Sequence, residues 1–246
     1  KTNSQIIPID SEHSAIFQAL NGEKKERIKK IILTASGGPF RNYTLDQMEN
    51  ITVKDALNHP NWSMGSKITI DSSTMMNKGL EYIEAKWLFG INTPVEIIVH
   101  PQSIIHSMIE FFDTSIIAQL GIPDMRVPIA YALSYPDRFE CDLPSLDLAA
   151  IGNLTFEKPD FERFPCLRLA IDAMDIGKTM PTVLNAANEI AVQAFLDELI
   201  PYKEISELIQ MVMQNHSPSP LNELQDVLDS DQWARKETKK LITVTH

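Results

Sequence analysis

Apolar positions along this chain follow two rhythms. Up to about Phe139, short apolar runs alternate with helical stretches, and Ile31-Ile32-Leu33-Thr34, Lys67-Ile68-Thr69-Ile70, Val95-Glu96-Ile97-Ile98-Val99 and Ser115-Ile116-Ile117-Ala118-Gln119-Leu120 read as strands. Ile6-Ile7-Pro8-Ile9 reads as a further short strand before the helical pattern Ala15 to Leu20. Later the spacing becomes helical, over Pro165 to Gly177, Pro181 to Leu199, Glu204 to Gln214 and Leu221 to Leu241. Between these regimes, about Asp137 to Asp160, Pro136, Pro144 and Pro159 lie at or near the ends of a stretch with little periodicity, which reads as a linker. The expected architecture is an α/β (α+β) domain with a mixed sheet over 1–136, a linker over 137–160 and a small helical bundle over 161–246.

Composition narrows the class. The 246 residues are 43% hydrophobic and 22% charged, enough to bury a real core. A formal charge of -11 argues against nucleic acid or an anionic membrane as partner, so any phosphorylated ligand must be met by local donors. The run Glu23 to Lys30 reads as a solvated connector. Cys141 and Cys166 lack metal-type spacing and no secretory signal is seen, which points to a reducing compartment and structural thiols. No apolar run approaches 20 residues, so no membrane-spanning helix is expected.

Candidate chemistry concentrates in Asp71-Ser72-Ser73-Thr74-Met75-Met76-Asn77-Lys78-Gly79-Leu80-Glu81-Tyr82-Ile83-Glu84. A helix beginning near Ser72 or Ser73 would offer an anion its free N–H groups, with Asn77, Lys78 and Glu81 on one side. The bland alternative is a capped surface helix with an exposed Lys78–Glu81 pair. In Asp10-Ser11-Glu12-His13, two carboxylates at i and i+2 end an extended run and can point to one side; an Asp-Ser pair there is also an ordinary helix N-cap. With Glu81 they make an oxygen-only set of three carboxylates, suited to Mg²⁺ or Mn²⁺. No Gly-x-Ser-x-Gly elbow supports a Ser-His-Asp hydrolase. The segment from Ser36 to Gly65, with Gly37, Gly38, Pro39, Pro60 and Trp62, is long for a connection and reads as an active-site lid.

The runs Pro8 to His13, Ser36-Gly37-Gly38-Pro39-Phe40, His59-Pro60-Asn61-Trp62-Ser63-Met64-Gly65, Asp71 to Glu84, His100-Pro101-Gln102-Ser103 and Leu184-Asn185-Ala186-Ala187-Asn188-Glu189 resemble, in order and over nearly the whole chain, those of 1-deoxy-D-xylulose 5-phosphate reductoisomerases. The resemblance implies NADPH- and divalent-metal-dependent rearrangement and reduction of 1-deoxy-D-xylulose 5-phosphate to 2-C-methyl-D-erythritol 4-phosphate, a step of non-mevalonate isoprenoid synthesis inhibited by fosmidomycin. It makes 1–136 the catalytic domain, with a flap at about 36–66. By the same resemblance Asp10, Glu12 and Glu81 hold Mg²⁺ or Mn²⁺. Ser36, Ser72, Asn77 and Lys78 hold the phosphate, Ser11 meets substrate oxygens, Trp62 covers the substrate and His59 lies beside the reacting groups. Glu12, His59 and Lys78 are the catalytic candidates, and Met64, Gly65 and Met125 are those beside the nicotinamide. His106 is carried as a contact to substrate or to its immediate surroundings, and Asn188 and Glu189 as braces of the catalytic domain.

Family members carry an N-terminal NADPH-binding domain ahead of the Asp-Ser-Glu-His run. This chain starts at Lys1 and shows no Gly-x-Gly-x-x-Gly turn after a strand, so it is expected to be the catalytic and C-terminal part, with NADPH held mostly by the absent domain. A cytoplasmic homodimer is implied, using the strands from Val95 to Leu120; a plastid address would lie outside the letters given. The alternative is a catalytically silent metal- and phosphate-binding or dimerisation fragment.

Overall fold

An inner strand of a four-stranded sheet, Ile28–Ala35, is flanked by a parallel neighbour and an antiparallel one, so the chain must leave the sheet and return before the second strand is laid down. The structure, a computed structural model, describes residues 4–58 and 65–245. In chain order the elements are α1 (Ser11–Ala19), β1 (Ile28–Ala35), α2 (Leu45–Met48), α3 (Val53–Ala56), α4 (Ser66–Ser73), α5 (Met76–Phe89), β2 (Val95–Val99), β3 (Ile105–Phe111), β4 (Ile116–Leu120), α6 (Arg126–Ser134), α7 (Leu148–Ile151), α8 (Pro165–Ile176), α9 (Met180–Leu196), α10 (Glu204–Asn215) and α11 (Leu224–Thr245). They form two compact units, Lys1–Ser36 with Glu84–Pro159 and Gly37–Ile83 with Asp160–His246. This division differs from the sequential one expected, with its boundary at 136. The insertion between β1 and β2 packs with the late helices, a long-range pairing that periodicity does not register.

In the first unit the sheet order is β2-β1-β3-β4. β1 pairs parallel with β2, Ile31 opposite Val95 and Ala35 opposite Val99, and antiparallel with β3. Ile31, Ile32, Leu33, Thr34 and Ala35 are all buried, the continuous run of a strand covered on both faces. α1 packs over β3 and β4 with Ala15 and Ile16 inward. The register shifts between Ile105 and Ser107, and Thr34 Oγ1 lies 2.7 Å and 2.8 Å from the carbonyls of Ile105 and His106 at that irregularity. The stretch 137–160, expected as a linker, holds α7, and its end is tied to the sheet. Glu157 bridges Val99, the Nδ1 of wholly buried His100 lies 2.9 Å from the Thr155 carbonyl, and Phe156 stacks on the His100 ring. Ile104 N–H donates to His100 Nε2, which leaves Nδ1 as the protonated nitrogen: His100 is a structural pin.

The second unit is helical. α9 is its axis, in contact with α8, α10 and α11, and buries Val183, Leu184, Ala187, Ala191 and Val192. Pro165 and Pro181 open α8 and α9 within the first turn, where a missing N–H costs nothing. α2 and α3 are single turns, each closed by a capping box, Thr44 with Gln47 and Thr52 with Asp55. The Lys67 to Ile70 strand expected from alternation is instead part of α4. Four residues cannot separate the two periods, and Ile70 and Ser73, three apart, are buried on a helix that packs against α9, while Ile68 is 40% exposed. Ile6 to Ile9 is not a strand either: it makes no ladder, and Ile6 and Ile9 are exposed.

Candidate active site

In the first unit, candidate residues stand at the start of α1. Asp10 stands at the N-cap position, and its carbonyl accepts from Ser14 N–H at 2.8 Å, yet its carboxylate does not cap the helix. The ordinary N-cap account of Asp10 therefore fails for its side chain. Glu12, in the first turn, accepts from Ser11 Oγ. His13 is buried at 3% exposure, with Nδ1 3.8 Å from Asp10 Oδ2 and 3.7 Å from Glu84 Oε2. Asp10, His13 and Glu84 thus bring three ligand-type atoms within 4.8 Å of one another, a grouping whose last two members the sequence did not single out. Glu84 shows the available signal, since it follows Glu81 by three residues on α5.

Elsewhere in this unit, His106 is buried on β3, and a Cβ built on Gly121 would stand 3.6 Å from its Nε2. Met125 is the N-cap residue of α6 and 37% exposed. Ser36 directly follows β1 and precedes Gly37 and Gly38, both at positive φ.

In the second unit, candidate residues stand at the junction of α4 and α5. Ser72 is the penultimate residue of α4, not the start of a helix as the sequence suggested. The chain turns at Thr74 and Met75, with Met75 at φ 59, a left-handed conformation uncommon for a long side chain. α5 begins at Met76, whose N–H donates to Thr74 Oγ1 at 3.3 Å. The helix start expected near Ser72 or Ser73 lies instead at Met76, with Asn77 and Lys78 in its first turn.

Asn77 Nδ2 donates to Glu81 Oε1 at 2.5 Å, and Lys78 Nζ donates to Glu81 Oε2. Lys78 and Glu81 are 5% and 2% exposed. The bland reading of this segment, an exposed surface pair, is therefore incorrect: the pair exists and is buried. Burying both charges costs several kcal/mol per ion before attraction offsets it, so such a pair is weak evidence of stabilisation and good reason to look for another role.

Asp71 is also buried, at 1% exposure. It accepts from Lys67 Nζ and, at 2.9 Å, from Asn188 Nδ2 on α9. Burial pushes its carboxyl above the ordinary carboxylate range, against the opposing pull of Lys67 and Asn188. Glu189, next to Asn188, accepts from Asn185 Nδ2 at 3.2 Å and from Arg235 on α11 at 2.6 Å. The loop after β1 presses on the same junction: a Cβ on Gly38 (φ +68) would stand 2.6 Å from the Ser72 carbonyl oxygen. Gly79 is equally constrained, since its Cβ would meet that of Ala170 at 2.4 Å. Gly65, the N-cap of α4, has open space around its Cβ position. His59, Trp62 and Met64 lie outside the described residues.

Two family models match: residues 6–89 the 1-deoxy-D-xylulose 5-phosphate reductoisomerase C-terminal domain, and residues 120–237 the DXP reductoisomerase C-terminal domain. The reductoisomerase of Acetivibrio thermocellus is 59% identical over 239 residues, and that of Geobacter metallireducens 56% over 241. The matches cover 97% of this chain in both cases but 63% and 62% of those proteins. A solved DOX-P reductoisomerase in complex with NADPH, fosmidomycin and magnesium superposes with a TM-score of 0.91 at 42% identity, over 98% of this chain and 64% of that one. The Zymomonas mobilis enzyme in complex with NADPH gives 0.88 at 47%, over 96% and 61%.

Proposed function

The chain belongs to the 1-deoxy-D-xylulose 5-phosphate reductoisomerase family, and from that premise we propose that it forms the metal- and substrate-binding part of an enzyme converting 1-deoxy-D-xylulose 5-phosphate to 2-C-methyl-D-erythritol 4-phosphate with NADPH. The observation that carries this reading is the buried Lys78–Glu81 pair in the first turns of α5, across the chain reversal at Thr74 and Met75 from Ser72. An ammonium fixed there meets a phosphate, and a carboxylate fixed there meets a cation.

Asp10, Glu12 and Glu81 would hold Mg²⁺ or Mn²⁺. The fit lies in the donor chemistry: an all-carboxylate set suits a hard cation, and the Asp10 side chain is not spent on capping α1. When bound, the cation polarises the substrate's carbonyl and hydroxyl oxygens and NADPH supplies the hydride. Ser36, Ser72, Asn77 and Lys78 grip the phosphate, and that remote grip offsets the ordering of segment 36–66 as a flap. Ser11 and His106 contact the substrate, Trp62 covers it, and His59 lies beside the reacting groups. Met64, Gly65 and Met125 line the nicotinamide's position.

The protein acts as a cytoplasmic homodimer joined through the strands from Val95 to Leu120, in the non-mevalonate route to isoprenoid precursors. β4 supports this, being a sheet edge with Ile116, Ile117 and Leu120 exposed.

Because the chain spans about 63% of its curated relatives' length, a second reading applies to the polypeptide alone: it binds metal and phosphorylated ligand but turns nothing over. Purified chain titrated calorimetrically with Mn²⁺ and a fosmidomycin-type phosphonate-hydroxamate is expected to bind the inhibitor in a metal-dependent way. With substrate and NADPH present, the nucleotide's absorbance should not fall. Metal-independent inhibitor binding would count against the three-carboxylate assignment, and rapid NADPH oxidation against placing most of the nucleotide's grip elsewhere.

A further inference from the structure

We propose that Asp71 and Asn188 are a positioning pair for the phosphate subsite, a role that rests on the assignment of Ser72 and Lys78 to the substrate phosphate. Neither residue touches the ligand in this scheme; they act through Ser72. Asp71 is the residue before Ser72 at the C-terminal end of α4, 1% exposed, and its Oδ1 receives Nδ2 of wholly buried Asn188, on α9, at 2.9 Å. Lys67, one turn back on α4, holds the other carboxylate oxygen. The carboxylate is thus fixed from its own helix and from the axis of the bundle at once.

Three features argue that orientation, more than stability, is the gain. Asn188 Oδ1 is buried and has no hydrogen-bond partner among the described residues, an unmet acceptor that an apolar residue at this position would avoid. Asp71 is buried deeply enough that the charged carboxylate is disfavoured despite Lys67 and Asn188. On the other side of the junction, the Gly38 backbone approaches the Ser72 carbonyl too closely to admit a Cβ. Ser72 is therefore clamped between a glycine loop and the Asp71–Asn188 bond, while Thr74 Oγ1 reaches the Asp71 carbonyl at 3.2 Å and receives Met76 N–H. One rigid turn fixes the Ser72 hydroxyl relative to the start of α5, where Asn77 and Lys78 stand. A directed donor set for a phosphate requires that fixed relation.

The test is made in the full-length protein with three variants: Asn188→Asp, which sets two buried carboxylates face to face; the reciprocal Asp71→Asn/Asn188→Asp, which restores an amide–carboxylate bond with its polarity reversed; and Lys78→Met as a control. Dissociation constants are measured for 1-deoxy-D-xylulose 5-phosphate and for the dephosphorylated sugar, and kcat alongside KM. Asn188→Asp is expected to weaken phosphorylated-sugar binding about tenfold, the loss of one charge-assisted hydrogen bond, and to leave the dephosphorylated sugar and kcat within about twofold. The reciprocal variant should recover to within about threefold of the parent, and it remains measurable if Asn188→Asp fails to fold. Equal losses for both sugars, or no recovery in the reciprocal variant, overturn the positioning role. If Lys78→Met also fails to discriminate between the sugars, the phosphate assignment itself is at fault. If Lys78→Met discriminates and Asn188→Asp does not, only the pair is.

Discussion

Lys78 and Glu81 stand three residues apart on α5, both buried, joined through Nζ and Oε2. Each is a buried charge partner of the other. Lys78→Met should strand the Glu81 carboxylate and destabilise the fold by about 3 kcal/mol in urea melts at neutral pH. Lys78→Met/Glu81→Gln should recover most of that loss. Additive losses would mean that the two side chains do not share a charge balance.

Glu81→Gln tests the metal ligand, with some loss of stability because the buried Lys78 ammonium then lacks its carboxylate. The amide keeps the shape but is a weak ligand for a hard cation. Calorimetric titration with Mn²⁺ should show affinity reduced at least tenfold, with far-UV circular dichroism unchanged. Unaltered Mn²⁺ affinity would remove Glu81 from the ligand set.

Asp71 gives stability a pH dependence of definite sign. Its carboxyl titrates above the ordinary 3.8 in the folded chain, chiefly through burial. The folded state therefore keeps a proton that the unfolded state has already lost, and the associated stability is full below 3.8 and lost as pH rises through the folded value. Asp71→Asn, neutral at every pH, should melt higher than the parent at pH 7 and show no such advantage near pH 3. The exposed Lys67 head loses little. A lower melting point for the variant at pH 7 would show that Lys67 and Asn188 outweigh desolvation.

The two thiols should differ in reactivity. Burial pushes the Cys166 thiol up to about 12, so at pH 8 it is protonated as well as inaccessible, whereas Cys141 is partly exposed. A chromogenic disulfide reagent should titrate one thiol in the native protein and two in guanidinium. Two fast-reacting native thiols would show that the α8 region opens readily.

Gly79→Ala would drive a methyl into Ala170, where the α5 and α8 side chains leave no room. A loss of about 1–3 kcal/mol is expected from overpacking. Gly79→Ala/Ala170→Gly should return most of it in the same melts. If the second substitution rescues nothing, the strain lies in α5 itself and not in the crossing.

Much of this architecture was legible in the letters because its signals are local. The four late helices appear as 3.6-residue periodicity, and β1, β2 and β4 as short β-branched runs. The chemistry-bearing segments were recognisable by their order along the chain. What failed were four-residue calls and pairings across distance. Lys67 to Ile70 fits either period, so its helix depends on packing against α9. The start of α5 was placed three or four residues early because Thr74 and Met75, which reverse the chain, carry no glycine or proline to announce the turn. Asp71 was read only as the head of a motif, since its partner Asn188 is 117 residues away.

The insertion of 37–83 between β1 and β2 means that the second unit is assembled from two lengths of chain separated by 76 residues of the first (84–159). On the ribosome, Ser72, Lys78 and Glu81 emerge long before α8 to α11, the helices that complete the unit's core. A nascent chain short of those helices lacks Asn188, the partner of Asp71, and Ala170, the neighbour of Gly79, and α4 must wait with the face it turns to α9 uncovered. A premature stop anywhere before α9 therefore does more than trim the C-terminus: it removes the surface against which α4 packs, and the truncated product becomes a client for chaperones and proteases.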